Sequence, residues 1–106
     1  MATLNGFHKG NITIVDKLEV MGTIEGNVTV LQSCVLELKG TVIGSCRVES
    51  GGIAKILGTV RGVLENHRGD IEIWGVVQLL RDCDSAVPSI VKPGAQIKNY
   101  EVGTCG

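Results

Sequence analysis

The sequence predicts an all-β, single-domain parallel β-helix, a β-solenoid of about five rungs of about 18 residues over residues 1–106. Three observations predict it. A glycine-bracketed pentapeptide recurs at a fixed offset. The residues between its copies alternate between apolar and polar. The composition is aliphatic and glycine-rich, with 14 Val, 10 Ile and 15 Gly but only three aromatics, Phe7, Trp74 and Tyr100. β-Branched residues suit a pleated surface, and glycine is poor in helices.

The repeat is read first. Gly22-Thr23-Ile24-Glu25-Gly26 returns as Gly40-Thr41-Val42-Ile43-Gly44 and as Gly58-Thr59-Val60-Arg61-Gly62, each time 18 residues on, and more weakly as Gly75-Val76-Val77-Gln78-Leu79 after 17. The intervening segments align as well. Asn11-Ile12-Thr13-Ile14 matches Asn27-Val28-Thr29-Val30, and Leu18-Glu19-Val20-Met21 matches Leu36-Glu37-Leu38-Lys39, Ala54-Lys55-Ile56-Leu57 and Ile71-Glu72-Ile73-Trp74. The first unit is two residues short around Asp16 and Lys17, and the fourth one residue short near Asn66 to Gly69. Length changes fall in loops, so these places predict corners.

Within each unit, one parity is apolar. Leu36, Leu38, Val42, Cys46 and Val48 share it, as do Ala54, Ile56, Val60 and Leu64. After the deletion the parity flips to Ile71, Ile73, Val77 and Leu79, as it must if one face stays buried. The opposite parity carries Glu25, Glu37, Lys39, Glu49, Lys55, Arg61 and Glu65. Alternation with a period of two argues strand against helix. Parallel stacking at about 4.8 Å per rung puts equivalent residues in columns, such as Ile24, Val42, Val60 and Val77. A single rung cannot bury its apolar face, so stability comes from neighbouring rungs. The regular repeat runs over about residues 6–80, an irregular loop is expected over 81–88, and a closing rung over about 89–102. An antiparallel sandwich also uses repeated turns, but it does not require equivalent motifs at a constant offset.

The G-x-[IV]-x-G-x-[VL] element of Gly22 to Val28 and Gly58 to Leu64, the Gly69-Asp70-Ile71 step, and the run Ile90-Val91-Lys92-Pro93-Gly94-Ala95-Gln96-Ile97 resemble the bactofilin family over roughly residues 6–98. The resemblance implies a right-handed β-helix, triangular in section, that polymerises without nucleotide as a bacterial cytoskeletal scaffold. Bactofilins usually carry disordered, often Pro-rich tails, and some have a short N-terminal membrane-targeting segment. This sequence has almost no tail at either end and only Pro88 and Pro93, so membrane contact is not expected. A competing reading rests on an unbroken spacing of six through Ile12, Leu18, Ile24, Val30, Leu36, Val42, Val48, Ala54 and Val60. That is the rhythm of the left-handed hexapeptide helix used by many acyltransferases. Right-handed parallel crossovers dominate in general, although hexapeptide helices are the exception.

The chemistry offers no catalytic set, cofactor site or metal site. Only His8 and His67 could serve as a general base, and each reads as an exposed polar residue, His67 at a corner. A catalytic zinc takes three protein ligands, more than two histidines supply. No serine sits in a nucleophile elbow, and no glycine run leads into Lys-Ser/Thr. Ten basic against eleven acidic residues leave no basic excess for nucleic acid. No apolar run reaches the roughly 18 residues of a membrane span. The opening residues lack a signal-peptide pattern, so a cytoplasmic location is expected. The four cysteines are expected as reduced structural thiols, Cys34 and Cys46 facing inward, with Cys83 and Cys105 the ones open to solvent.

A solenoid leaves strand edges at its two ends. Residues 1–6 and 98–106 are expected to cover them only in part, which favours self-association. Phe7, Ile12 and Ile14 at one end, with Ile97 and Tyr100 at the other, are the candidate contacts. Met21, Leu57 and Trp74 share an outward column with Lys39 and form a candidate lateral face. The expected function is therefore a non-enzymatic, self-associating scaffold whose partner is itself, as filament or small oligomer. The alternatives are an acyltransferase-like hexapeptide protein using His67 and a small oligomeric adaptor that binds another protein through Trp74.

Overall fold

A computed structural model describes residues 2–83 and 89–102. Every strand pairing in it is parallel, and no helix occurs among the described residues. The chain coils through six successive turns, close to the five or so the repeat predicts. The first turn holds β1 (Ala2–Leu4), β2 (Phe7–Lys9) and β3 (Ile12–Ile14). The second holds β4 (Lys17–Val20), β5 (Thr23–Glu25) and β6 (Val28–Val30), and the third β7 (Val35–Leu38), β8 (Thr41–Ile43) and β9 (Cys46–Val48). In the fourth turn β10 (Ile53–Ile56) is followed by one long strand, β11 (Thr59–Asn66), which runs through the next corner. β12 (Asp70–Ile73) and β13 (Val76–Asp82) repeat that pattern, and β14 (Ile90–Val91) and β15 (Gln96–Val102) close the coil.

Each turn therefore has three sides. One side is the six-stranded stack β1-β4-β7-β10-β12-β14. The other two are joined into one bent sheet because β11, β13 and β15 pass through the corner between them. The register matches the sequence columns. Leu18 pairs with Leu36, Leu36 with Ala54, and Ala54 with Ile71, while Ile24 pairs with Val42, Val42 with Val60, and Val60 with Val77. These residues form the core, and all but the half-buried Leu18 have no exposed surface or almost none.

Glycine columns set how closely the turns can approach. A Cβ built on Gly40 would fall onto the Gly22 carbonyl oxygen, one on Gly58 onto that of Gly40, and one on Gly75 onto that of Gly58. The same holds at the next corner, where Gly44, at φ 139°, lies against the Gly26 carbonyl. These two corners thus bring backbone onto backbone, and only a residue without a side chain fits. Asparagine side chains continue the stack there: Asn11 Oδ1 accepts from the Asn27 N–H at 2.9 Å, and Asn27 Oδ1 from the Ser45 N–H at 3.1 Å.

Three details depart from the sequence expectation. Ala2–Leu4 form a strand paired with Leu18–Val20, so these residues extend the coil by a side instead of covering its end. Arg81 and Asp82 belong to β13, so the expected loop starts later; its residues 84–88 lie outside those described. A second shortening occurs at the Gly62 corner. The pairing offset is 17 at Val60 with Val77 but 16 at Val63 with Leu79. The parity flips again, so Leu80 is fully buried and Leu79, expected inside, is only half-buried. The predicted shortening between Asn66 and Asp70 is present: Val48 pairs with Asn66, while Ile53 pairs with Asp70.

Candidate functional site

The ends of the coil are the first candidate. β1, β2 and β3 have no strand on their outer side among the described residues, and neither do β14 and β15. The inward-facing apolar residues of the middle turns are sealed, but at the ends large apolar side chains lie open. Phe7 is 62% exposed, Tyr100 51% and Val102 52%, and Ile90 and Val91 are also exposed. Ile12 and Ile97 are half-buried and pack on the core edge. An apolar groove of about 180 Å³ runs along Ile12 to Leu18 at the first turn. Ile14 differs from the rest of the predicted set. It is 3% exposed and points into the core, so its side chain cannot serve as an end contact. The inward parity it shares with Val30 and Val48 explains this.

The outer stripe is the second. Successive backbone hydrogen bonds, Met21 N–H to Leu4, Lys39 N–H to Val20, Leu57 N–H to Leu38, Trp74 N–H to Ile56 and Lys92 N–H to Ile73, place Met21, Lys39, Leu57, Trp74 and Lys92 in one column. Met21, Leu57 and Trp74 are each nearly half exposed. Lys39 interrupts the stripe and is held by Glu19 at 2.9 Å and Glu37 at 3.7 Å, which raise its pKa. The Lys92 ammonium lies 5.3 Å from the Trp74 ring centroid, a cation–π distance. Leu57 and Trp74 are therefore the continuous apolar part of this face.

The third is a polar corner that sequence reasoning missed. Val30, Val48, Asn66 and Asp82 occupy one inward column, and its character changes from apolar to polar along the coil. Asn66 and Asp82 have no exposed surface. Buried polar groups are costly unless hydrogen-bonded, and these are. Asn66 Oδ1 accepts from the Gly69 N–H at 2.7 Å, and its Nδ2 donates to Ser89 Oγ at 3.1 Å. Asp82 Oδ1 accepts from Ser89 Oγ at 2.7 Å and from the Ser89 N–H at 3.2 Å, and its Oδ2 accepts from the Tyr100 hydroxyl. That bond to a carboxylate pushes the Tyr100 phenol up to about 12. Tyr100 therefore has an exposed ring and an anchored hydroxyl. The 18-residue offset from Val48 to Asn66 could have revealed the polar column; Asp82 was hidden by the second shortening.

On the outer side of the same corner, Arg47, Glu65, Arg81 and Glu101 alternate in sign down one column. Their spacings are 3.8 Å for Arg47 with Glu65, 3.4 Å for Glu65 with Arg81, and 3.0 Å for Arg81 with Glu101. Beside them, Cys83 stands one turn beyond His67: the His67 N–H donates to Val48 and the Cys83 N–H to Asn66, each at 2.9 Å. His67 is not the open corner residue the sequence suggested. Its side chain is 21% exposed, and its Nε2 is buried with no hydrogen-bond partner among the described residues. Cys34 and Cys46 are buried and free, as expected, and burial pushes the Cys46 thiol up to about 12. Cys83, expected as a reduced thiol, is instead disulfide-bonded. Cys105 also lies outside the described residues.

No helix among the described residues is long and apolar enough to cross a membrane. Comparison with protein-family models, with curated proteins and with solved structures returns no match.

Proposed function

We propose that this chain is a non-enzymatic, self-associating β-solenoid that assembles through the ends of its coil, in the manner the bactofilin resemblance implies. The observation that carries the reading is the contrast between the sealed core of the middle turns and the exposed apolar side chains at the ends, among the described residues. Core residues from Val20 to Leu80 are at or near zero exposure, while Phe7, Val91, Tyr100 and Val102 are about half exposed or more. Strand edges with free backbone groups template pairing with another chain, and apolar side chains beside them add burial. A coil using both ends adds copies without limit; one using a single end stops at a dimer.

The experiment is light scattering and negative-stain electron microscopy of the full chain across a concentration series, with Phe7→Asp and Val91→Asp as end variants. Both side chains are exposed, so neither change disturbs the core. Concentration-dependent assemblies that shrink in the variants support the reading. A wild-type chain that stays monomeric at high concentration overturns it.

The Leu57–Trp74 stripe favours a second reading, a small oligomer or adaptor that binds a protein through its side. Aromatic residues are enriched at the centres of interfaces. Assemblies insensitive to Phe7→Asp but dispersed by Trp74→Asp would favour it over end-to-end stacking.

A further inference from the structure

We propose that Glu65, His67 and Cys83 form a redox-gated zinc site, closed while Cys83 is in its disulfide and opened when that bond is reduced. The three residues bring an imidazole nitrogen, a sulfur and a carboxylate oxygen within 4.8 Å of one another, at half-buried positions. They are donor types that zinc takes in tetrahedral sites, three from the protein leaving one position for water. His67 Nε2 is buried and lacks a hydrogen-bond partner among the described residues, and it stands 4.0 Å from Glu65 Oε2, too far for a hydrogen bond. A buried nitrogen without a partner is costly, and an ion between it and the carboxylate would satisfy both.

The backbone fixes this juxtaposition. Glu65 and His67 flank the inward Asn66 at the end of β11, so alternation turns both outward, and Cys83 follows β13 one turn beyond His67. Glu65 Oε1 faces Arg47 and Oε2 faces Arg81, so an arriving dication competes with Arg81 for Oε2. That competition makes the thiolate the decisive ligand, because it is the strongest donor of the three for zinc.

The gate is a balanced exchange. A dithiol reductant attacks the protein disulfide, whose S–S bond breaks. The reductant closes to its own cyclic disulfide, and its two protons pass to the two protein thiols. Zinc then displaces the proton of the Cys83 thiol, releasing it to solvent. Reoxidation of the two thiols by a disulfide oxidant reverses the sequence and expels the ion.

The test uses the full chain, oxidised and dithiol-reduced, with Zn²⁺ against a chromophoric chelator and Co²⁺ as a spectroscopic probe. The expected result is one equivalent of metal in the reduced chain, with a thiolate-to-cobalt charge-transfer band. Affinity should fall at least about tenfold on oxidation, in Cys83→Ser and in His67→Ala, and less in Glu65→Gln. Far-ultraviolet circular dichroism of each variant separates lost ligation from lost fold. No uptake by the reduced chain overturns the proposal. So does equal uptake by the oxidised chain, or binding that a folded His67→Ala retains in full.

Discussion

The Tyr100 hydroxyl donates to Oδ2 of Asp82, a carboxylate with no exposed surface, and so ties the last strand to the strand beneath it. Tyr100→Phe keeps the ring and removes the bond, leaving one oxygen of a buried carboxylate short of a donor. The expected cost is about 1.5–3 kcal/mol, the range for a hydrogen bond to a charged group. Urea titration of the wild type and variant checks it, with an unchanged slope showing that the fold is intact.

Alkaline pH should weaken the fold before it affects anything else in the core. Burial raises Cys46 from 9.0 to about 12, and the Asp82 carboxylate raises Tyr100 from 10.0 to about 12. Both groups hold their protons more tightly folded than unfolded. Their stabilisation is complete below about pH 9 and is lost as pH rises toward about 12. Urea midpoints measured across that window should fall steadily, and less steeply in Cys46→Val. In the native state Cys46 should also resist alkylation by a thiol reagent that labels the unfolded chain.

Gly40→Ala should be among the most damaging single changes despite adding one methyl group. The new Cβ meets the Gly22 carbonyl oxygen, which is backbone and cannot rotate away. Overpacking of this kind costs roughly 1–3 kcal/mol where side chains can yield, and more is expected here. Gly94→Ala is the control. No atom crowds that position, so its cost comes only from the positive φ of 91°. Thermal denaturation of the pair should show the larger loss at Gly40.

Core and surface columns should separate cleanly in size of effect. Leu38→Ala removes a side chain with no exposed surface, at an expected cost of about 2–5 kcal/mol. Arg81→Ala removes contacts to Glu65 and Glu101 from a partly exposed ladder. Exposed ion pairs contribute at most about 1 kcal/mol, and salt screens them, so the Arg81 effect should shrink further as ionic strength rises. Paired denaturation curves at low and high salt distinguish the two.

Much of this architecture was legible because each turn repeats the same physical demand. Gly22, Gly40 and Gly58 recur where backbone meets backbone, and Ile24, Val42 and Val60 recur where a side chain must enter the core. The failures cluster where the repeat changes length. Leu79 reads as inward in the sequence because the one-residue shortening at the Gly62 corner leaves no mark in the composition. Asp82 is hidden in the sequence for the same reason, since its place in the Asn66 column shows only once the 16-residue register is known. Ile14 read as an end contact because it lies in the first turn, but its pleat direction buries it. His67, Glu65 and Cys83 are brought together by stacking across 16 residues, a relation no local motif encodes.

The glycine columns have a consequence for how the molecule comes apart and how its length can change. Each turn is locked only to the turns on either side, through offsets of 16 to 20 residues. Opening should therefore begin by fraying at the outermost turns and advance inward, and amide exchange should grade from fast at β2 and β15 to slow at β8. Excision of residues 41–58 would join Gly40 directly to Thr59 and return every remaining column to register, as the pairing of Thr41 with Thr59 requires. The coil behaves as a ruler whose length is edited one whole graduation at a time. Removing one residue from within a strand would turn the rest of that strand onto the wrong face, whereas a shortening at a corner, as between Asn66 and Asp70, is absorbed there.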